Sequence, residues 1–439
     1  MSEPANDPYP PSWQAWSVVA LLLVLNIVSL MDRQLLSLLA VAVQDDLKLS
    51  DVQLGLLQGL AFALFHAVMA LLLGWAVDRY SRRIVIFWGI ITWSLSCAAG
   101  GLASGFAQLF ASRLGVGAGE AVMQPAGYSL IRDLLPPARR VAGFGIFGMG
   151  SSLGVGVSYG FGGSLVASLM DTNSILAPLG AYFRPWQSAL ILAGLPGVAL
   201  AFLVLLIREP ARRGGAPARG PFFSPLVACA RRYGTMLPLL MLGFALTTLC
   251  SYCLFAWTPV YLDRQFGWDT QTVGYGLAIS LGLFPASGFL IGGAIVDRFF
   301  MAGRRDILLL LPMALMSVGA VTAVLAFQAS SPYAFLGMLG VIAFTVAALT
   351  PCAFASLQLL APADLRGRIT GAFMVVQNFV GAAGGPLIVA LITEHVLHDR
   401  DKVGTSVAIT VVTAGAIAVL LFASILRPFK AAIAHVDAN

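Results

Sequence analysis

Long apolar runs alternate with short polar breaks along the whole chain. A membrane-crossing helix needs about 20 predominantly apolar residues. On that measure the pattern predicts twelve spans, over residues 14–40, 52–77, 84–104, 106–131, 140–169, 186–207, 235–262, 272–296, 306–328, 332–360, 369–394 and 404–426. The expected fold is an all-α membrane protein. The longest basic, Gly/Pro-rich break, Arg208 to Pro225, falls between the sixth and seventh spans. It divides the chain into a six-helix half over 14–207, a linker over 208–234 and a second six-helix half over 235–427, with tails over 1–13 and 428–439.

The halves echo each other. Gly74-Trp-Ala-Val-Asp78-Arg79 after the second span matches Gly293-Ala-Ile-Val-Asp297-Arg298 after the eighth. Arg140-Val-Ala-Gly143 likewise matches Arg368-Ile-Thr-Gly371. Two parallel repeats with the substrate path between them is the architecture such duplication implies.

Composition agrees. Apolar residues make up 59% and charged residues 10% of the chain, against about 25% charge in a soluble globular protein. The net charge of +6 resides in short loops, so lipid headgroups and orientation explain it, and no nucleic-acid partner is expected. With both termini in the cytoplasm, nineteen loop cations fall inside and five outside (Lys48, Arg184, Arg264, Arg400 and Lys402), and this asymmetry sets the orientation. Trp13, Trp16 and Trp186 read as interface anchors. The five cysteines lie in or beside apolar segments, and Cys250-Ser-Tyr-Cys253 lacks His or acidic neighbours, so packing is expected of them rather than metal or redox work. The polar N-terminus lacks the basic region of a cleavable signal. That and the short loops suit a bacterial inner membrane.

Four charges interrupt the apolar pattern: Asp32 and Arg33 in the first span, Arg113 and Glu120 in the fourth. A charge at bilayer depth costs about 2.5–3.5 kcal/mol on the lenient insertion scale, so such residues face a bundle interior or a watery cavity. Arg113 and Glu120 share a helix face about 10 Å apart along the axis. Counting about 1.5 Å per residue, Asp32 and Arg113 share a depth near the outer side, while Glu120 lies past the bilayer middle. Burial makes a carboxylate hold its proton more tightly and a neighbouring arginine loosens that hold. Moving the arginine toward a substrate anion therefore changes the acid's proton affinity. On this reading Asp32 and Glu120 carry protons, and Arg113, with Arg33 in a lesser part, anchors or gates an anionic group. The alternative is a permanently paired structural network.

The short loop Gly74-x-x-x-Asp78-Arg79-x-x-Arg82-Arg83 reads as part of a cytoplasmic gate, together with Asp297, Arg298 and Arg140. Its acid suits a facing helix N-terminus, and its arginines can bridge to the other half. Gln34, Gln58, His66, Gln124, Tyr128, Tyr252, Gln377 and Asn378 are further polar residues within spans that can line the pathway. No phosphate-binding loop or zinc-ligand cluster occurs in the sequence, so neither ATP-driven transport nor metallo-hydrolysis has support, and no cofactor is expected.

This loop resembles the inner-loop signature of the major facilitator superfamily, over essentially the whole chain. Within it the N-terminal half is similar to the spinster family of lipid transporters, through Met31-Asp32-Arg33, Ser50-Asp51-Val-Gln-Leu-Gly55, Gly74 to Arg83, Trp93, Arg113-x-x-x-Gly117-x-Gly119-Glu120-Ala121 and Leu153-Gly154. The sequence departs from the superfamily's fifth-helix antiporter pattern, having Phe161 where that pattern has proline. The resemblance implies a monomeric, proton-coupled carrier, not an enzyme, that moves lysophospholipids, sphingoid phosphates or similar single-chain amphiphiles by alternating access. A proton symporter for small organic anions such as sugar acids is the other reading of the intramembrane arginines.

Overall fold

The computed structural model describes residues 9–171, 173–176, 178, 182–212, 231, 233–361 and 365–437. Most of the linker, with Arg213, Arg219, Cys229 and Arg232, lies outside the described residues. Among those described, the regular elements are all helical. Eleven helices are long and apolar enough to cross a membrane: Ser12–Leu38, Asp51–Arg79, Arg82–Gly100, Ala142–Met170, Pro185–Leu205, Met236–Phe266, Thr270–Met301, Ile307–Ala326, Pro332–Leu360, Arg368–Val396 and Arg400–Ile433. They are the first to third and fifth to twelfth spans.

The fourth crossing differs from the expected unbroken helix. It consists of Phe106–Glu120 and Met123–Leu134, joined by a turn at Ala121-Val122. Pro125 explains the break, because its ring has no N–H to offer and would clash with the carbonyl of Ala121 one turn back. The interruption falls directly after Glu120, so that carboxylate sits at a helix end.

The described chain ends lie on one face of the bundle. Arg139 and Arg140, between the fourth and fifth spans, donate to Ser12 and Tyr9, and Lys430 pairs with Asp306 between the eighth and ninth at 2.9 Å. We call this the terminal face and the opposite one the distal face.

Lipid tails are as apolar as leucine, so helices associate in a bilayer through close packing, and small residues mark the contact. The seam between the halves shows this. A Cβ on Gly59 of the second span would come 2.8 Å from the Ala382 carbonyl of the eleventh, and one on Gly156 of the fifth 3.2 Å from the Gly282 Cα of the eighth. Both partners lie in π-helical segments, Ala278–Leu283 and Gln377–Ala383. Each precedes a proline, Pro285 or Pro386, and the widened turn accommodates the missing N–H. Toward the terminal face the packing stops: Gly74, Gly145, Gly148 and Gly371, on the same four-span system, have nothing within 4 Å of a Cβ position. The seam is closed at its distal end and open at its terminal end.

One local expectation changes. Trp186 is buried and donates its indole N–H to Asp46 at 2.9 Å; a satisfied indole packed inside the bundle is not an interface anchor. Trp13, by contrast, is exposed. Cys250 and Cys253 are buried free thiols directed at different carbonyls, those of Val411 and Gly385.

Candidate functional site

The four intramembrane charges converge where the first, second, fourth and seventh spans meet. Gly117 and Gly119 make this possible, since a Cβ at either would collide with the Phe62 backbone or with the backbone of Gly89 and Trp93. The fourth span thereby approaches the second and third closely enough to bring Glu120 into the bundle. Glu120 is 3% exposed and accepts a hydrogen bond from Arg33 Nη2 at 2.7 Å. The other terminal nitrogen, Nη1, donates to the Tyr252 hydroxyl at 3.1 Å. Arg33 also lies over the Phe62 ring, 3.8 Å from its centroid, where the π face favours a cation. One guanidinium thus connects a carboxylate of the N-terminal half to a phenol of the C-terminal half.

Sequence spacing puts more weight on Arg113 than on Arg33; in the structure it is Arg33 that makes the ion pair with Glu120. Arg113 Nη1 donates to the Asp32 backbone oxygen at 3.2 Å, confirming a shared depth, but it makes no side-chain ion pair with Asp32 among the described residues. Both Asp32 carboxylate oxygens are buried without a hydrogen-bond partner, as are Glu120 Oε1 and the Nε atoms of Arg33 and Arg113. Unpaired buried polar atoms cost about 1–3 kcal/mol each. These unpaired atoms are concentrated around the four intramembrane charges.

The other pathway candidates separate. Gln34 Oε1 lies 3.1 Å from the Tyr159 hydroxyl. Gln58 is buried with both amide atoms unpaired. His66 stacks on Phe62 at 5.0 Å. Gln377 donates to Thr248 at 3.0 Å, and Asn378 is spent on the Met374 carbonyl. Gln124 is half-buried. Tyr128 lies apart from this cluster, edge-on to Phe144 and Phe147.

The gate residues also divide. Arg82 is fully buried in its own half, bonded to Asp133 at 2.5 Å and Glu209 at 2.7 Å. Burial pushes the Glu209 carboxyl up, but Arg82, the Ser81 hydroxyl and the Arg83 backbone N–H outweigh it and hold the group below its ordinary value. Arg83 donates to the carbonyls of Leu205 and Ile207, and Arg140 to that of Leu135. Asp78, Arg79, Asp297 and Arg298 are exposed on the terminal face.

A second cross-half cluster seals the distal face. Arg264, at the end of the seventh span, donates to Asp51 at 2.8 Å and to Gln44 at 2.7 Å. Gln44 donates in turn to Asp51 at 2.6 Å. Glu394 of the eleventh span accepts from the Val52 N–H at 3.0 Å. Sequence reasoning missed this lock. Asp51 follows the N-cap Ser50, whose capping box with Gln53 is formed, and so reads as a helix-start acid; Arg264 reads as a loop cation.

The sequence matches the profile of the Major Facilitator Superfamily over residues 22–386. It is 26% identical over 402 residues to an MFS-type efflux pump of Mycolicibacterium smegmatis, covering 88% of this chain and 86% of that one. It is 26% identical to the hexuronate transporter of Bacillus subtilis, covering 84% and 82%. With human protein spinster homolog 1 it shares 29% identity over 258 residues, 56% of this chain and 46% of the relative. Among solved structures, a bacterial homologue of the human lysosomal transporter spinster, inward-facing and unoccupied, superposes with a TM-score of 0.77 at 22% identity, covering 97% of this chain and 98% of that one. The profile, the relatives and the two-half helical architecture agree: this chain belongs to the Major Facilitator Superfamily of membrane transporters.

Proposed function

We propose that the protein is a proton-coupled secondary transporter that moves a single-chain anionic amphiphile, of lysophospholipid or sphingoid-phosphate type, by alternating access. The observation that carries this reading is Arg33, holding Glu120 of one half and Tyr252 of the other in a seam open toward the terminal face. The loop-charge asymmetry makes the terminal face cytoplasmic, so this state is inward-open.

A substrate phosphate or carboxylate competes for the Arg33 guanidinium, the side chain best suited to bidentate recognition of such groups. Taking Arg33 away removes the counter-charge from Glu120, and a buried carboxylate without one takes up a proton. The same displacement breaks the link to Tyr252 and so loosens one half from the other. Asp32, level with Arg113 and with the Cys97 thiol beside its carboxylate, is the second proton carrier. The terminal ends of the second, fifth and eleventh spans, where the glycines have no neighbours, give an acyl chain a lateral way to the bilayer. When the terminal face shuts, the exposed Asp78, Arg79, Asp297 and Arg298 are the groups left to bridge the halves.

A small organic anion such as a sugar acid is the second reading. Similarity to the hexuronate transporter along 82% of its length favours it. Flux of a lysolipid and of a sugar acid into proteoliposomes, each with and without a pH gradient, tests both. Gradient-stimulated lysolipid flux is expected; gradient-stimulated sugar-acid flux alone replaces the cargo, and flux indifferent to pH removes the coupling.

A further inference from the structure

A cavity of about 170 Å³ lies among the seventh, eighth, tenth and eleventh spans of the C-terminal half. Its polar lining is Thr247, Thr248, Ser251, Thr350 and Gln377, with no charged residue, and the remaining wall is apolar. Phe255 is part of that wall and packs edge-on against Tyr252, the phenol that meets Arg33. The neutral cavity therefore begins beside the cationic site.

Hydroxyls on helices ordinarily donate to a carbonyl of the preceding turn. Thr247, Thr248, Thr345 and Ser356 all do so here. Ser251 and Thr350 are exceptions: among the described residues their hydroxyls have no hydrogen-bond partner, and both line the cavity. Gln377 spends its amide N–H on Thr248, which leaves its side-chain oxygen free to accept. The cavity thus presents two hydroxyls and an amide oxygen, all neutral.

We infer that this cavity is a second substrate subsite, taking the uncharged, hydroxyl-bearing segment of an anion whose charged end sits at Arg33, and that Ser251, Thr350 and Gln377 set the preference for it. The inference rests on the reading in which an anion docks at Arg33. An alkyl segment here would leave these polar groups without partners, whereas a hydroxylated segment pairs with them. The volume corresponds to about five or six waters, room for a short polyol and too little for a long acyl chain. The glycerol backbone of a lysophospholipid and the carbon chain of a sugar acid both carry this chemistry.

The test compares two matched pairs of anions in proteoliposomes: lysophosphatidic acid against an alkyl phosphate of equal chain length, and glucuronate against hexanoate. Wild type is expected to prefer the hydroxyl-bearing member of one pair, and that pair identifies the source of the segment. Ser251→Ala, Thr350→Val and Gln377→Leu each lower the preference about fivefold, the loss of one net hydrogen bond, by raising KM for the hydroxyl-bearing member and not for its partner. Thr350→Ser keeps the hydroxyl and retains the preference, which separates lost bonding from misfolding. Equal preference in wild type and variants, or a KM that rises alike for both members, overturns the subsite while leaving the transport reading in place. If wild type carries none of the four anions, the transport reading falls and takes this inference with it.

Discussion

The Tyr159 hydroxyl of the fifth span lies 2.9 Å from the carbonyl oxygen of Phe255 in the seventh. That carbonyl is available because residue 259, one turn on, is a proline inside the helix, and proline has no N–H to give it. Tyr159 is fully buried. A vacancy that would be a defect in one half is filled by a hydroxyl from the other, so the bond exists only while the halves are together on the distal side.

Tyr159→Phe deletes this bond, with the contact to Gln34 Oε1, and leaves the Phe255 carbonyl without its partner from the other half. The cost, about 1–3 kcal/mol, falls on the distal-closed state and shifts the population toward the distal-open one by about five- to 150-fold. Spin-label distances across the distal face should show a longer component in the variant. A distribution identical to wild type would remove the bond from the gate.

Arg33 and Glu120 should behave as a pair. Arg33→Ala strands a buried carboxylate and should destabilise by about 3–5 kcal/mol, as breaking one side of a buried ion pair does. Arg33→Ala with Glu120→Gln should recover much of the thermal stability in detergent yet remain inactive. Glu120→Gln or Asp32→Asn alone should bring flux that no longer responds to a pH gradient. Wild-type gradient-driven rates in either single variant would sink the coupling mechanism.

The distal lock makes a separate prediction. Asp51 is 1% exposed beside Arg264, so Arg264→Gln leaves it without a cation in a closed seam. Opening to water relieves that, and distal-face cysteine probes should label faster in the variant by an order of magnitude or more, given about 1.4 kcal/mol per tenfold. Adding Asp51→Asn should restore slow labelling, because the neutral pair no longer strands a charge. Labelling rates that ignore both changes would show that the seam is held elsewhere.

How far the sequence discloses this arrangement depends on what each feature requires. Spans are legible because crossing a bilayer demands about 20 apolar residues in a row, and Asp32, Arg33, Arg113 and Glu120 stand out because that demand makes them costly. Their pairing is not legible. Arg113 and Asp32 match in depth, but which long side chain reaches which carboxylate depends on helix rotation and on the close approach that Gly117 and Gly119 permit. The break after Glu120 is encoded by Pro125, whose effect on the carbonyl four residues back is steric and invisible to hydropathy. Asp51 and Arg264 lie 213 residues apart, each plausible as an ordinary helix-end charge, and only the folding of one half against the other makes them a pair.

Glu209 supplies the last prediction, on the terminal face. Its carboxyl is held below the ordinary value, with burial opposing and Arg82, Ser81 and the Arg83 N–H prevailing. A depressed folded-state value means that the stabilisation is fully present above the unfolded value of about 4.3 and is lost as pH falls through the depressed one. At pH 7, Glu209→Gln should therefore lower thermal stability by about 1–3 kcal/mol, the worth of charge-assisted bonds to a buried arginine. Wild type and variant should converge as the pH falls through that depressed value, because the wild-type carboxyl then protonates and resembles the amide. Melting temperatures in detergent, taken from pH 7 down into the acid range, measure the gap. A gap that stays constant with pH would mean that Glu209 holds the linker end by shape and neutral hydrogen bonding, with its charge contributing nothing.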